Sequence, residues 1–338
     1  MQKFIQRKDN IVEKTVQQRP LKEILNGVTF VSIIMFALFY IPVLGKPSLC
    51  FLPLPIIYYR LKFGRKPMMI LMTLTMLIAI QSDGGLSIKT LLIAELLVLG
   101  SVMSEFILKK LSADEIILYT TGILFLAGFF GLLYYSQMIS TGIGKILTDN
   151  IEYYVTMTMN VFRELGMPDD QLEQIAQSYN TNIFILMPSI SITFLMIVTW
   201  LNLLAARVTF PNFELSFPDF GSLNYWKSPE VLIWGVIGAG SITLFPSEPL
   251  RILGMNVLIV LMDIYFFQGI AVVSYFFETK NVSRSSRILL YSFIIVQPLS
   301  ILLIIGIGVF DVWADFRKQS SKNEQPPDIH SGFPYDWF

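Results

Sequence analysis

Apolar runs of about 20 residues, the length a helix needs to cross the hydrocarbon of a bilayer, recur along this chain of 338 residues. Lipid supplies no hydrogen bonds to the backbone, so a spanning segment must satisfy its own amides, which restricts such runs to helices. The expected spans fall near 24–44, 48–61, 67–81, 88–108, 115–137, 182–206, 230–246, 251–277 and 287–310. The second and third are short, and a re-entrant 48–61 would reduce nine crossings to eight. Composition agrees with this reading. The chain is 54% hydrophobic and 15% charged, against about 25% charged in soluble domains. The fold class expected is all-α, a polytopic transmembrane helix bundle.

Three regions follow: a polar N-terminal segment at 1–22, a transmembrane domain at 23–310 and a polar tail at 311–338. The run after residue 22 has no small-residue cleavage site, so it reads as a retained span rather than a signal peptide. Lysine and arginine cluster in the N-terminal segment, in "RLKFGRK" (Arg60, Lys62, Arg65, Lys66), at Lys109–Lys110 and at Lys280, Arg284 and Arg287. If every span crosses, these clusters share one side, which the positive-inside rule makes cytoplasmic. The expected location is the bacterial cytoplasmic membrane with the N-terminus inside. The tail lies outside with nine crossings and inside with eight.

The long loop at 138–181 carries Ile143, Leu147, Ile151, Tyr154, Phe162 and Leu165 at helical spacing. Gly166 stops that helix, and Pro168 to Asp170 start another in which Leu172, Ile175 and Tyr179 share a face. An amphipathic, extracytoplasmic helical hairpin is expected, lying on the leaflet or capping the bundle. Ser112 and Glu115 stand at capping-box spacing before the 115–137 run.

Several chemistries are excluded early. The chain has one cysteine, Cys50, and one histidine, His330, in the tail. No intramolecular disulfide, multi-cysteine metal site or His-based hydrolase is expected. Zero net charge and the lack of a basic block argue against nucleic acid as a partner. "STGIGKIL" lacks both the leading glycine and the Ser/Thr of a phosphate-binding loop. No cofactor, metal or enzymatic role is expected.

The chemistry that remains is a set of polar groups inside apolar runs. An ionisable side chain near the bilayer centre costs roughly 2.5–3.5 kcal/mol even on the lenient insertion scale. Asn256 and Asp263 are seven residues apart on nearly one helical face, while Tyr265, Gln268 and Gly269 cluster on another. Glu95 lies about two turns into its span, whereas Glu105 is near enough to the end to reach the interface beside Lys109. The 182–206 run adds Pro188 and Asn202. Glu95, Asn202, Asn256, Asp263, Tyr265 and Gln268 are the candidate ligand-lining residues. The alternative role for Asn256, Gln268 and Asp263 is interhelical hydrogen bonding, typically well under about 1 kcal/mol per pair.

Three stretches, "FPDFGSLNYWKSPEVLIW", "GMNVLIVLMDIYFFQGIAVVSYF" and "GVFDVWADFRK", resemble the YybS-like family of bacterial multi-pass membrane proteins, a domain of unknown function. The resemblance marks Trp226, Lys227, Pro229 and Glu230, then Asn256, Tyr265, Gln268 and Gly269, then Asp311, Trp313, Phe316 and Arg317. Locally, Trp226 and Trp313 read as interfacial anchors and Lys227 with Glu230 as an i,i+3 pair. Asp311 and Arg317, six apart, pair only if the helix end bends.

The first two-thirds, about 23–207, is also similar to the S components of energy-coupling-factor transporters, with "LPLPIIYYRLKFGRK" as the nearest stretch. That similarity implies a substrate-binding or transport-related protein with additional helices at 229–310. The partners expected are the bilayer and a small-molecule ligand. The rival expectation is a non-transporting scaffold that assembles with another membrane protein, such as an envelope or cell-shape protein.

Overall fold

The computed structural model describes residues 27, 29–33, 45–164, 166–172, 183–213, 215, 217–218 and 220–317. Helices dominate, and no strand occurs among the described residues. They are α1 (Gly45–Leu49), α2 (Pro53–Phe63), α3 (Arg65–Ser82), α4 (Ile88–Leu108), α5 (Ala113–Met138), α6 (Ile143–Glu164), α7 (Ile183–Thr209), α8 (Leu232–Thr243), α9 (Glu248–Thr279), α10 (Arg284–Val296) and α11 (Pro298–Ala314). Short 3-10 turns lie at Phe210–Phe213 and Leu223–Tyr225.

Among the described residues, four helices are long and apolar enough to cross a membrane: α4, α5, α7 and α9. A fifth span arises if α10 and α11 count together, but these two meet at 104°. The sequence suggested one run over 287–310. Pro298 has no amide hydrogen to continue the α10 ladder, and its ring pushes Gln297 out of helical geometry, to φ −100° and ψ 106°. Helices α2, α3 and α8 have 11, 18 and 12 residues. The expected first span and the second half of the 138–181 hairpin lie largely outside the described residues. The first half is a single helix, α6, and Gly166 ends it at φ +88°.

The helix starts are encoded locally. Glu115 accepts from the Ser112 amide at 2.9 Å, completing the expected box at the head of α5. A second box, absent from the sequence reading, opens α4: the Ser87 hydroxyl caps Thr90, and Thr90 Oγ1 accepts the Ser87 amide at 2.7 Å. Serine followed by threonine departs from the usual Ser/Thr-x-x-Glu/Gln form, which is why it escaped notice.

The chain divides into two compact units, Met1–Ile146 with Phe194–Pro218, and Leu147–Thr193 with Asp219–Phe338. In the first unit α2 packs on α3 and α4, and α4 packs on α5. Leu52, Ile56, Ile57, Leu96, Leu99 and Met103 form its core. Gly100 sets the α2–α4 distance, since a Cβ there would lie 2.7 Å from the Pro53 carbonyl oxygen. Helix α5 turns Leu118, Leu126 and Phe130 outward, as expected of a face that meets lipid tails.

In the second unit α9 is the axis, packed by α8, by α11 and by the Leu223–Tyr225 turn. Gly254 of α9 approaches the Ala239 carbonyl of α8 so closely that a Cβ would sit 2.9 Å from the oxygen. At the α9–α11 crossing, a Cβ on Gly269 would fall onto the Ile304 carbonyl oxygen, and one on Gly308 onto that of Tyr265. Two glycines thus bring the backbones into direct contact, the small-residue packing that membrane helices use where burial offers no driving force.

Candidate functional site

The polar residues of α9 fall into three environments. The first is a bridge to α7. Asn256 Oδ1 accepts the Ser189 amide at 3.1 Å, and Nδ2 donates to the Ile185 carbonyl at 3.0 Å. Nδ2 also donates to Ile252 O within α9 at 2.9 Å. The bridged groups flank Pro188, where the α7 ladder lacks a donor. Asn256 is therefore fully engaged within the unit.

The second environment is a buried network around Gln268. Its Oε1 accepts from the Ser228 hydroxyl at 2.5 Å and the Ser228 amide at 3.2 Å, and its Nε2 donates to Asp311 Oδ2 at 2.9 Å. Arg317 donates to that same Oδ2 at 2.6 Å and, through Nη1, to the Asn224 and Trp226 carbonyls at 3.0 and 2.9 Å. Asp311 Oδ1 takes the Phe316 amide at 3.1 Å. Asp311 is 0% exposed and Arg317 6%, so this ion pair is closed off from water. The bend that joins residues six apart occurs at Asp315, in the left-handed region at φ 42° and ψ 58°. Asparagine and aspartate tolerate that conformation better than most residues.

The rim of this network carries a correction. Lys227 does not pair with Glu230 at i,i+3; its ammonium reaches Asp315 at 2.7 Å instead. Glu230 itself begins the turn into α8 and stays exposed, while Lys227 precedes it in an irregular stretch, so the pair would need a helix that has not yet started. Asn224, bonded to Glu278, together with Ser228 and Tyr275, whose ring meets Tyr225 at 5.3 Å, joins the network without having been singled out in the sequence. Burial raises the Tyr225 phenol above its usual pKa, with the Tyr275 ring and Glu278 adding to the shift. Trp313 and Pro229 are exposed, and Gly269 belongs to the crossing described above.

The third environment is that of Asp263, which is 6% exposed with Oδ2 buried and unpartnered among the described residues. It lies two turns beyond Asn256 on nearly the same face. Tyr265 is fully buried, and among the described residues the polar group nearest its hydroxyl is Ser228, which is already bonded to Gln268. Residues two apart on a helix point about 200° apart, so Asp263 and Tyr265 do not converge.

In the first unit the Glu95 carboxylate lies over Gly128 of α5, where a Cβ would come within 2.5 Å of Oε1. Asn202 is buried; Nδ2 donates to the Cys50 and Val198 carbonyls at 2.7 and 2.8 Å, and Oδ1 is without a partner. Glu105 does not sit with Lys109 but accepts from Arg60 at 2.7 Å and Arg65 at 3.2 Å. Among the described residues no group of His, Cys, Asp and Glu has the arrangement of a metal site.

A family profile described as "Predicted membrane protein (DUF2232)" matches residues 29–312. The chain belongs to the DUF2232 family. The match spans every described helix but the last two residues of α11, and so includes Gln268 and Asp311 while Arg317 lies just beyond it. No curated protein and no solved structure matches the chain. With its apolar helices, this DUF2232 chain is a membrane protein of the all-helical class.

Proposed function

We propose that this DUF2232 protein binds a small molecule and is transport-related, as the S-component similarity of its first two-thirds implies, and that it is not an enzyme. The observation that carries this reading is Asp263. A carboxylate oxygen buried without a partner in a membrane-spanning helix is costly, and such a position is normally kept for something that binds there. The ligand is then a cation or a hydrogen-bond donor small enough to reach mid-helix, with Asn256 on the same face. Glu95 and Asn202 are the corresponding groups of the first unit. The topology proposed has nine crossings, or eight with 48–61 re-entrant. The N-terminus faces the cytoplasm of a bacterial inner membrane, and the 138–181 hairpin lies outside.

The test is purification in mild detergent followed by mass spectrometry for retained small molecules, wild type against Asp263→Asn. A stoichiometric compound lost in the variant supports the reading; a compound retained equally by both sinks the site assignment.

A scaffold role, with an envelope or cell-shape membrane protein as partner, is favoured by a different observation. The Gln268–Asp311–Arg317 network satisfies itself and leaves those groups nothing to offer a ligand. A protein that purifies without a small molecule but with a stoichiometric membrane partner would decide for the scaffold.

A further inference from the structure

At one end of the first unit, the C-termini of α2 and α4 and the N-terminus of α3 come together, because Arg60 and Arg65 share the carboxylate of Glu105. Phe210, just past the end of α7, packs on Tyr58 with ring centroids 5.7 Å apart and brings a fourth helix end to the same place. The α2–α3 and α4–α5 turns at this end carry six cations (Arg60, Lys62, Arg65, Lys66, Lys109 and Lys110) against three carboxylates (Glu105, Asp114 and Glu115), a net of three positive charges. One of those carboxylates already closes the α5 capping box.

Helix C-termini attract cations, which accounts for Arg60 on its half-buried ion pair. It accounts as well for Lys62, in the last turn of α2, and for Lys109, at the end of α4, but not for Arg65 and Lys66, which open α3. The Arg65 side chain is 69% exposed although it touches Glu105, and Lys66, Lys109 and Lys110 are exposed. Two of the lysines lie over aromatic rings, Lys62 at 5.0 Å from the Tyr58 centroid and Lys109 at 5.7 Å from that of Phe106. Aromatic side chains with an apolar body and a polar tip settle at the membrane–water boundary. Lys109 and Lys110 follow directly on the last residue of α4, one of the four helices fit to span a membrane. The cations therefore follow the end of a helix fit to span a membrane and stand on helix ends joined through Glu105.

We propose that this basic end of the first unit, Arg65 and Lys66 with Lys62, Lys109 and Lys110, is a docking surface for the headgroups of anionic phospholipids. Basic residues next to a membrane helix attract anionic lipid. The shared Glu105 sets Arg65 beside Arg60, so that the guanidinium nearest the surface is presented as part of a fixed group.

The test titrates the full chain in detergent with phosphatidylglycerol, phosphatidylcholine or inorganic phosphate and reads the thermal midpoint. Phosphatidylglycerol is expected to raise it, and phosphatidylcholine and phosphate are not. The Arg65→Gln/Lys66→Gln variant, altered at two exposed positions, should need roughly 30-fold more phosphatidylglycerol for the same shift, the loss carried by two cations near an anionic surface. Lys145→Gln/Arg251→Gln removes two exposed charges elsewhere and should titrate like wild type. If Arg65→Gln/Lys66→Gln does not fold, Lys109→Gln/Lys110→Gln reads the same surface. Equal shifts with both lipids overturn the proposal, as does an equal loss in the Lys145/Arg251 variant. A phosphate effect matching that of phosphatidylglycerol would mean a site for soluble anions instead.

Discussion

Arg317 reaches back over a left-handed Asp315 to place its guanidinium 2.6 Å from the carboxylate of Asp311, and the pair is shut away from water. The same guanidinium holds the carbonyls of Asn224 and Trp226. One side chain thus ties the end of α11 to the loop that leads into α8.

A buried ion pair of this kind is expensive to break and cheap to replace as a whole. Removing one partner strands the other charge, so Arg317→Ala and Asp311→Ala should each lower unfolding stability by about 3–5 kcal/mol. Asp311→Leu/Arg317→Met should lose much less than the sum of the two, because no charge is left behind. Denaturation in detergent micelles, run as a double-mutant cycle, measures this; strict additivity would mean that the pair is not coupled. Lys227→Ala, which opens the half-exposed contact with Asp315, should cost under about 1 kcal/mol.

Glycine substitutions should separate by what the new methyl meets. Gly269→Ala and Gly308→Ala drive a Cβ into the backbone of the opposing helix, and overpacking of this sort costs typically about 1–3 kcal/mol. Gly128→Ala instead meets the end of the Glu95 side chain, which can swing aside, so its cost should stay below about 1 kcal/mol. Gly306→Ala meets nothing within 4 Å and should leave the melting temperature unchanged. Thermal midpoints of the four variants check the order.

Asn256→Leu removes the amide that bridges Ser189 and Ile185. Interhelical hydrogen bonds in membranes average about 0.6 kcal/mol and reach about 1.7. With two of them in a bidentate bridge next to Pro188, a loss of about 1 kcal/mol is expected. Amide exchange at Ser189 should quicken in the same variant, and an unchanged rate there would show that the bridge does not form.

The Glu105 carboxylate serves two arginines, so Glu105→Gln should weaken both contacts at once. The group is a third exposed, and a partly exposed network of this size is worth about 1 kcal/mol after screening. The loss should shrink as salt is raised, and an effect independent of ionic strength would point to packing instead.

Much of this was legible in the sequence because the physics is local. The α4 span was placed at 88–108, where the helix lies, since polar residues bracket a continuous apolar run. The polar set on α9 stood out for the same reason: a carboxylate or an amide in lipid is conspicuous. What joins those residues was not legible. Asn224 and Ser228 sit in a loop rich in polar residues, where nothing distinguishes a buried serine from a wet one. Their burial depends on Arg317, about 90 residues away. Lys227 misled for a related reason, because sequence spacing proposed its neighbour before the start of α8 was known. The break at Pro298 did carry a signal, a proline inside an apolar run, but a proline alone does not say by how much the chain turns, here 104°.

The network around Gln268 also fixes an order of events during synthesis. The loop at 222–228 and the whole of α9 are synthesised before Asp311 and Arg317 exist. Until then the Asn224 and Trp226 carbonyls and the Gln268 amide lack their native partners. A chain released early is therefore not a slightly shortened version of the finished protein. It is one with unmet polar groups in its second unit, the kind of defect by which membrane quality control tells an incomplete product from a complete one.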